Sequence, residues 1–366
     1  MSTVARTGPV AITGVATVAG GPHDSLETLI FRGARAALDA AGLDRGDLDG
    51  VVLAASDQTD GRAITSMLTS GPAGAYLTDE INVASSPGHA LALGYMQILS
   101  GVHERLLVSS WGKSSESAAG SQPAERLSTD PFFERDGGLS ALAAAAMQAE
   151  RHRSGDPERG AHAAARVAAR NHGDVDAAAV AASDIVASPL RALELPPEVD
   201  ATFSIVLERP GRAAPAAVLA GVGWCSDSGR IAERDLVGLP HLRRAAADAY
   251  GRAGAGPDSI GSWHLHDYTP DAEILAYAPL GLCDPGGGID FALSGATGGG
   301  GWVSVNPCGG SVRGEAPFGG TLAKVIDAVQ RVRGTAGSTT VERALAHLTT
   351  GFAGQFQTVA IVERGS

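Results

Sequence analysis

Short apolar runs alternate with alanine-rich stretches of helical period along this chain. Val10 to Thr17 reads as a strand. Leu26 to Ala41 places apolar residues three and four apart, the spacing of a helix with one buried face. Asp24 or Ser25 stands where an N-cap belongs, and Gly42 stands at the C-terminal end. Gly50 to Ala55 is short and apolar throughout, as expected of a strand covered on both faces. The pattern then predicts a helix near Arg62 to Thr69, a strand at Glu80 to Val83, a helix over Ser86 to Leu99 and a strand at Arg105 to Ser110. This βαβαβαβ order implies a mostly parallel sheet covered by helices. Ser109 to Asp136 is rich in Ser, Gly, Pro and charge and reads as a long-looped excursion. Helices are expected over Leu139 to Arg153 and Ala161 to Asn171, and a strand over Ala201 to Leu207.

After a Pro/Arg segment at Glu208 to Pro215 the pattern begins again, with a strand at Ala217 to Cys225. Arg243 to Leu265 mirrors Ala34 to Leu53: an alanine-rich helix ends in glycine, passes a short acidic turn and enters a strand. Glu80 to Gly88 is echoed by Val303 to Gly310, where a strand runs through Asn into a turn of small residues. LLVSSWG is echoed by HLTTGFAG. Two such halves predict a duplicated α/β fold with two sheets packed face to face, divided as residues 1–210 and 211–366 with an excursion at about 111–172.

Composition narrows the function classes. The 49 glycines among 366 residues are roughly twice the usual share of about 7%, without a three-residue period. Three cysteines cannot staple a chain of this length, which fits a reducing cytoplasm. The net charge of −12 leaves no basic stripe for nucleic acid. The N-terminal apolar stretch is interrupted by Thr13 and Gly14 and reads as a strand, not a signal peptide. Ile81 to His103 carries no Asp, Glu, Lys or Arg, but it clusters Asn82, Ser85, Ser86, Pro87 and Gly88 at one end. A core helix is expected there, with no membrane span.

That same stretch holds the sharpest chemistry. A strand delivers Ser85 to the start of an uncharged helix, where unsatisfied N–H groups and the macrodipole favour negative charge. An acyl nucleophile or an oxyanion would be stabilised there. A plain N-cap serine on a buried helix fits the local pattern too.

INVASSPGHALALGYMQILSG followed by LLVSSWGKSSES resembles the thiolase superfamily, in its sterol-carrier-protein-x and lipid-transfer branch. HLHDYTPDAEILAYAPLGLC is similar to that branch's HDCFxxxELxxYExLGLC, and VSVNPCGGSVRGEAPFGGT to its INPSGGxxxxGHPLGATG. The three motifs keep the family's order over nearly the whole chain. The resemblance implies the thiolase fold, two βαβαβαββ halves in a five-layer αβαβα sandwich. It also implies that Ser85 stands at the acylated cysteine, Tyr268 at the acid/base thiol, and Ala316 at the activating histidine.

A serine hydroxyl is far less acidic than a thiol near 8.5, so the helix end alone cannot ionise it. Ser85 needs a base, and His266, His89 and Glu315 are the candidates. His266 is expected to hold a water or donor for the thioester oxyanion, and Tyr268 to pass a proton to an enolate or alkoxide. Asn306, Cys308 and Gly310 are grouped with His89 and Glu315 as expected substrate contacts. Lys113 reads as an exposed lysine with access to a CoA phosphate.

The resemblance implies acyl-thioester chemistry, with coenzyme A or a phosphopantetheine arm as carrier, no tightly bound cofactor and no metal. Acyl transfer through Ser85 comes first. A retro-aldol lyase acting on a β-hydroxyacyl-CoA is the second reading, and a non-catalytic subunit the third. A homodimer and an OB-fold, zinc-ribbon partner protein are further expectations.

Overall fold

The computed structural model describes residues 9–116, 124, 126–211, 215–298, 301–337 and 339–365. Residues 1–8, 117–123 and 212–214, which fall at the N-terminus, in the excursion and in the boundary segment, lie outside that set. The first half runs β1 (Val10–Ala19), α1 (Leu26–Ala41), β2 (Gly50–Ala54), α2 (Ser66–Thr69), β3 (Asp79–Asn82), α3 (Pro87–Ser100) and β4 (Arg105–Gly112). An insertion follows, with α4 (Ala141–Arg153), α5 (Pro157–His172), α6 (Ala177–Ala182) and the hairpin β5 (Ile185–Ala187) and β6 (Leu190–Arg191). β7 (Ala201–Glu208) returns to the sheet. The second half runs β8 (Ala217–Ser226), α7 (Pro240–Ala253), β9 (Ser262–Leu265), α8 (Pro270–Leu280), α9 (Gly288–Leu293), α10 (Ala323–Arg333), β10 (Arg343–Thr350) and β11 (Phe356–Arg364).

The main strands join in the order β3-β2-β4-β7-β1-β8-β11-β10-β9. Read outward from the β1–β8 junction, each half repeats one order. Beyond β9, where the first half has β3, the second half has a single parallel bridge between Trp263 and Val305. The register repeats too: Gly50 pairs with Leu106 as Ser262 pairs with Ala344. Ladder pairing of Val10 with Leu219 and Ala11 with Val218 joins the two half-sheets, so in place of the two separate sheets expected from the sequence they form one continuous nine-stranded sheet.

Side chains alternate across each strand, which sorts the core into layers. Val51, Leu53 and Leu107 pack outward with Leu26 and Ile30 of α1. Trp263, Leu345 and Ile361 pack with Leu242 of α7 and Tyr277 of α8 on the opposite outer face. Between them Leu91 and Tyr95 of α3 and Val325 and Val329 of α10 share one cluster with Val108 and Val362. The result is αβαβα, with α3 and α10 enclosed.

Local chemistry moves some expected boundaries. Ser25 caps α1 and Gly42 closes it in the left-handed region, as its sequence requires. α5 starts at Pro157, ahead of the expected Ala161, because Asp156 accepts from the Arg159 amide and proline suits the first helical position. α2 is shorter than expected: Arg62 bonds back to the Asp57 carbonyl, and the Asp57 carboxylate takes the Thr65 amide. No described helix is long and apolar enough to cross a membrane.

Candidate active site

α3 begins behind a tight turn. Its N-cap is Ser86, whose hydroxyl accepts from the Gly88 amide at 3.1 Å, and Pro87 follows. Ser85 therefore lies one residue outside the helix and is relieved of capping. Its Oγ is 3.1 Å from Nδ1 of His89, and its carbonyl accepts from the Thr350 hydroxyl. The four-residue spacing puts His89 one turn along the helix, under Ser85. The His89 ring meets Phe356 edge-on at 5.4 Å, and its Nε2 is buried without a hydrogen bond. Burial pushes its pKa down.

The second group sits where β9 turns into α8. The His266 amide is fixed by the His347 carbonyl at 3.1 Å. The imidazole is 7% exposed, and Nε2 stands 3.3 Å from Oε2 of Glu315. Neither ring nitrogen makes a hydrogen bond. Glu315 comes from the loop before α10 and is tied by its backbone to Pro197 and Val199. Asp267, fully buried, anchors the motif: it accepts from Asn171 Nδ2 at 2.6 Å, the Ser311 amide at 2.8 Å and Lys324 Nζ at 3.1 Å. Tyr268 packs against Ala145, Ala149 and Leu190.

Ser85, His266, Tyr268 and Glu315 line one cavity of about 400 Å³, together with His347 and Thr350. It is walled by the insertion, through residues such as Leu142 and Ala145, and by the loop between β10 and β11. A larger, more open hollow of about 590 Å³ lies beside β3, lined by Asp49, Asp79, His103 and Glu104. None of the reactive candidates reaches it.

The structure separates the other expected contacts from this cavity. His89 stands behind Ser85 and does not line it. Asn306 accepts from the Leu265 amide and donates to Glu273, so both ends of its amide hold the loop. A Cβ at Gly310 would lie 2.0 Å from the Asp267 carboxylate, which gives this glycine a close-approach role. Cys308 is exposed and does not line the cavity. Lys113 is corrected outright: it is 2% exposed and ion-paired with Asp200 at 2.8 Å, with the Gly21 carbonyl at 3.0 Å. A short buried strand end positions it there, beyond the reach of a phosphate.

Two features carried no sequence signal of their own. His347 enters the cavity from β10, its Nε2 2.6 Å from Gln357 Oε1, and burial pushes its pKa down to about 4. In the sequence it stood only as part of an echoed strand. The buried chain Arg170–Glu273–Asn171–Asp267 spans α5, α8 and the His266 motif. The regular helical pattern of Ala161 to Asn171 gave no sign that its polar residues turn inward.

Comparisons with known proteins fit this architecture. Residues 223–364 match the model of the thiolase C-terminal domain-like family. The chain is 29% identical over 300 residues to an acetyl-CoA acetyltransferase of Methanothermobacter thermautotrophicus, covering 76% of each chain. It is 37% identical over 111 residues to sterol carrier protein 2 of Rattus norvegicus. That match takes in 30% of this chain and spans only 20% of the rat protein's length. Among solved structures, the Ltp2–ChsH2(DUF35) aldolase superposes with a TM-score of 0.79 at 21% identity, covering 98% of both chains.

Proposed function

The chain belongs to the thiolase superfamily, in its sterol-carrier-protein-2 thiolase-like branch, and on that premise we propose that it cleaves the Cα–Cβ bond of a β-hydroxyacyl thioester. The observation that carries this reading is the His266–Glu315 pair: a buried imidazole with no ring hydrogen bond, 3.3 Å from a carboxylate, facing the cavity. A base must take the β-hydroxyl proton and become an imidazolium. Glu315 offsets that charge where it forms. As the hydroxyl becomes a carbonyl, the Cα–Cβ electron pair moves onto Cα and the thioester oxygen. Ser85 donates its hydroxyl to that oxygen, and Tyr268 gives a proton to Cα and regains one from the His266 imidazolium, which restores both groups. The products are a ketone or aldehyde and a shortened acyl thioester. Coenzyme A or a phosphopantetheine arm carries the acyl group, and the protein supplies the proton transfers.

Acyl transfer through Ser85 is the second reading, favoured by the 3.1 Å contact with His89. It is the weaker one on electrostatic grounds. Attack by Ser85 would leave an imidazolium on His89, which has no carboxylate partner among the described residues and a pKa already lowered by burial. Desolvated charge without a partner is costly. A panel of β-hydroxyacyl-CoAs separates the two. Carbonyl release that survives Ser85→Ala and is lost in His266→Ala supports the lyase. A covalent acyl adduct by intact mass, lost in Ser85→Ala, with no carbonyl product, replaces it with acyl transfer.

The reading includes two assembly steps. β3 is an edge strand whose first residues, Asp79 and Glu80, are exposed, and it is the edge through which a homodimer would pair. A partner protein in the place of the DUF35 component of the aldolase neighbour would complete the complex, and the sequence resemblance implies that it is an OB-fold, zinc-ribbon protein. Light scattering of the chain alone and with such a partner checks both.

A further inference from the structure

We propose that His264, Cys308 and Asp327 form a binding site for a divalent transition-metal ion of the Zn²⁺ type. The three side chains come from β9, the turn after Val305 and α10, and their ligand atoms all lie within 4.8 Å of one another. The imidazole, thiol and carboxylate of this set suit Zn²⁺, with water as a fourth ligand. Cys308 is exposed, which gives the ion a path in and lets the thiol close onto it. The family resemblance implied no metal here, and no local spacing joins residues so far apart in the chain.

The second observation is the state of His264. Its side chain is 1% exposed, and Nδ1 has no hydrogen bond. Nε2 is 3.1 Å from the Ser262 hydroxyl. When that hydroxyl accepts the Nε2 proton, Nδ1 keeps a bare lone pair, the arrangement that orients metal-ligating imidazoles. A buried nitrogen left unpaired is costly and calls for an explanation. The duplicated fold sharpens the point. By the matching registers, His264 occupies the place that Val52 fills in the first half, and Val52 is fully buried. The sheet position itself therefore does not ask for a polar side chain.

Two cations stand nearby and work against a bound cation. Lys324 is already paired with Asp267 at 3.1 Å, and Arg331 Nη1 bonds the Ala336 carbonyl at 3.2 Å. The Cys308 thiolate and the Asp327 carboxylate bring two negative charges directly to the ion, at far shorter range. A bound ion would tie the turn after Asn306 to α10 and so steady the loop that carries Glu315.

The test uses the purified full chain, stripped with chelator and titrated with Co²⁺. The expected result is a thiolate-to-Co²⁺ charge-transfer band that saturates at one ion per chain and is displaced by Zn²⁺. Cys308→Ser, an exposed position, abolishes the band, and Cys283→Ser leaves it intact. Ser262→Ala weakens Zn²⁺ binding about 10–100-fold while circular dichroism stays unchanged. Absence of the band, or its persistence in Cys308→Ser, overturns the proposal.

Discussion

The two halves use the same topological slot in opposite ways. In the first, Asn82 leads straight into Ser86 and Pro87, a side-chain cap and a proline start α3, and the turn presents one hydroxyl. In the second, the chain leaves Asn306, wanders through 3₁₀ turns at Ser311–Arg313 and Gly319–Leu322, and enters α10 without a side-chain cap. Asn306 itself is held at φ 45 by its two amide bonds. Duplication preserved the strand order and let the connection diverge. The short version makes a rigid helix start. The long version brings a carboxylate to a histidine that it could not otherwise reach.

The largest expected effect tests which turn carries the chemistry. His266→Ala should lower kcat/KM for carbonyl release by about 10²–10⁴-fold, and Ser85→Ala, which removes one donor to the thioester oxygen and leaves the base in place, by a smaller factor. The opposite order would move the chemistry to the first half. Stability should follow the same asymmetry. A Cβ at Gly319 would sit 2.2 Å from the Trp111 carbonyl oxygen, so Gly319→Ala should cost about 3 kcal/mol or more by urea unfolding. Pro87→Ala, in the short turn, should cost no more than about 1 kcal/mol.

A third contrast lies in the adjoining strands. By register, Ser109 of β4 matches His347 of β10. The first half buries a Ser109–Ser204 hydroxyl pair at 2.9 Å, and the second buries an imidazole on Gln357. Desolvation, opposed by the Gln357 hydrogen bond and assisted by smaller contributions from His266, His241 and Lys324, holds the His347 pKa at about 4. Below the unfolded value of about 6.5 the unfolded chain binds a proton that the folded chain refuses. The His347 contribution to stability is therefore whole above that value and is lost at up to about 1.4 kcal/mol per pH unit on acidification toward 4. His347→Gln should flatten this slope in denaturation series at pH 7, 6 and 5, and Ser109→Ala should not. The smallest effect belongs to the cap: Ser86→Ala should cost about 1 kcal/mol, measured by the same unfolding.

Much of the fold was legible in the sequence. Val10 to Thr17, Gly50 to Ala55 and Leu26 to Ala41 announce themselves because a strand or helix stamps its period on neighbouring residues. The duplication was legible for the same reason, twice over. Ser85 with His89 was within reach, since one helical turn joins them. The sequence by itself thus determined the elements and their order. Only the tertiary structure decided that Glu315 meets His266, that His347 enters the same cavity, that Lys113 is buried on Asp200, and that His264, Cys308 and Asp327 converge. Those contacts join residues with no shared period. They exist because loops of unpredictable path close across layers whose spacing is set by packing, and no local pattern encodes that distance.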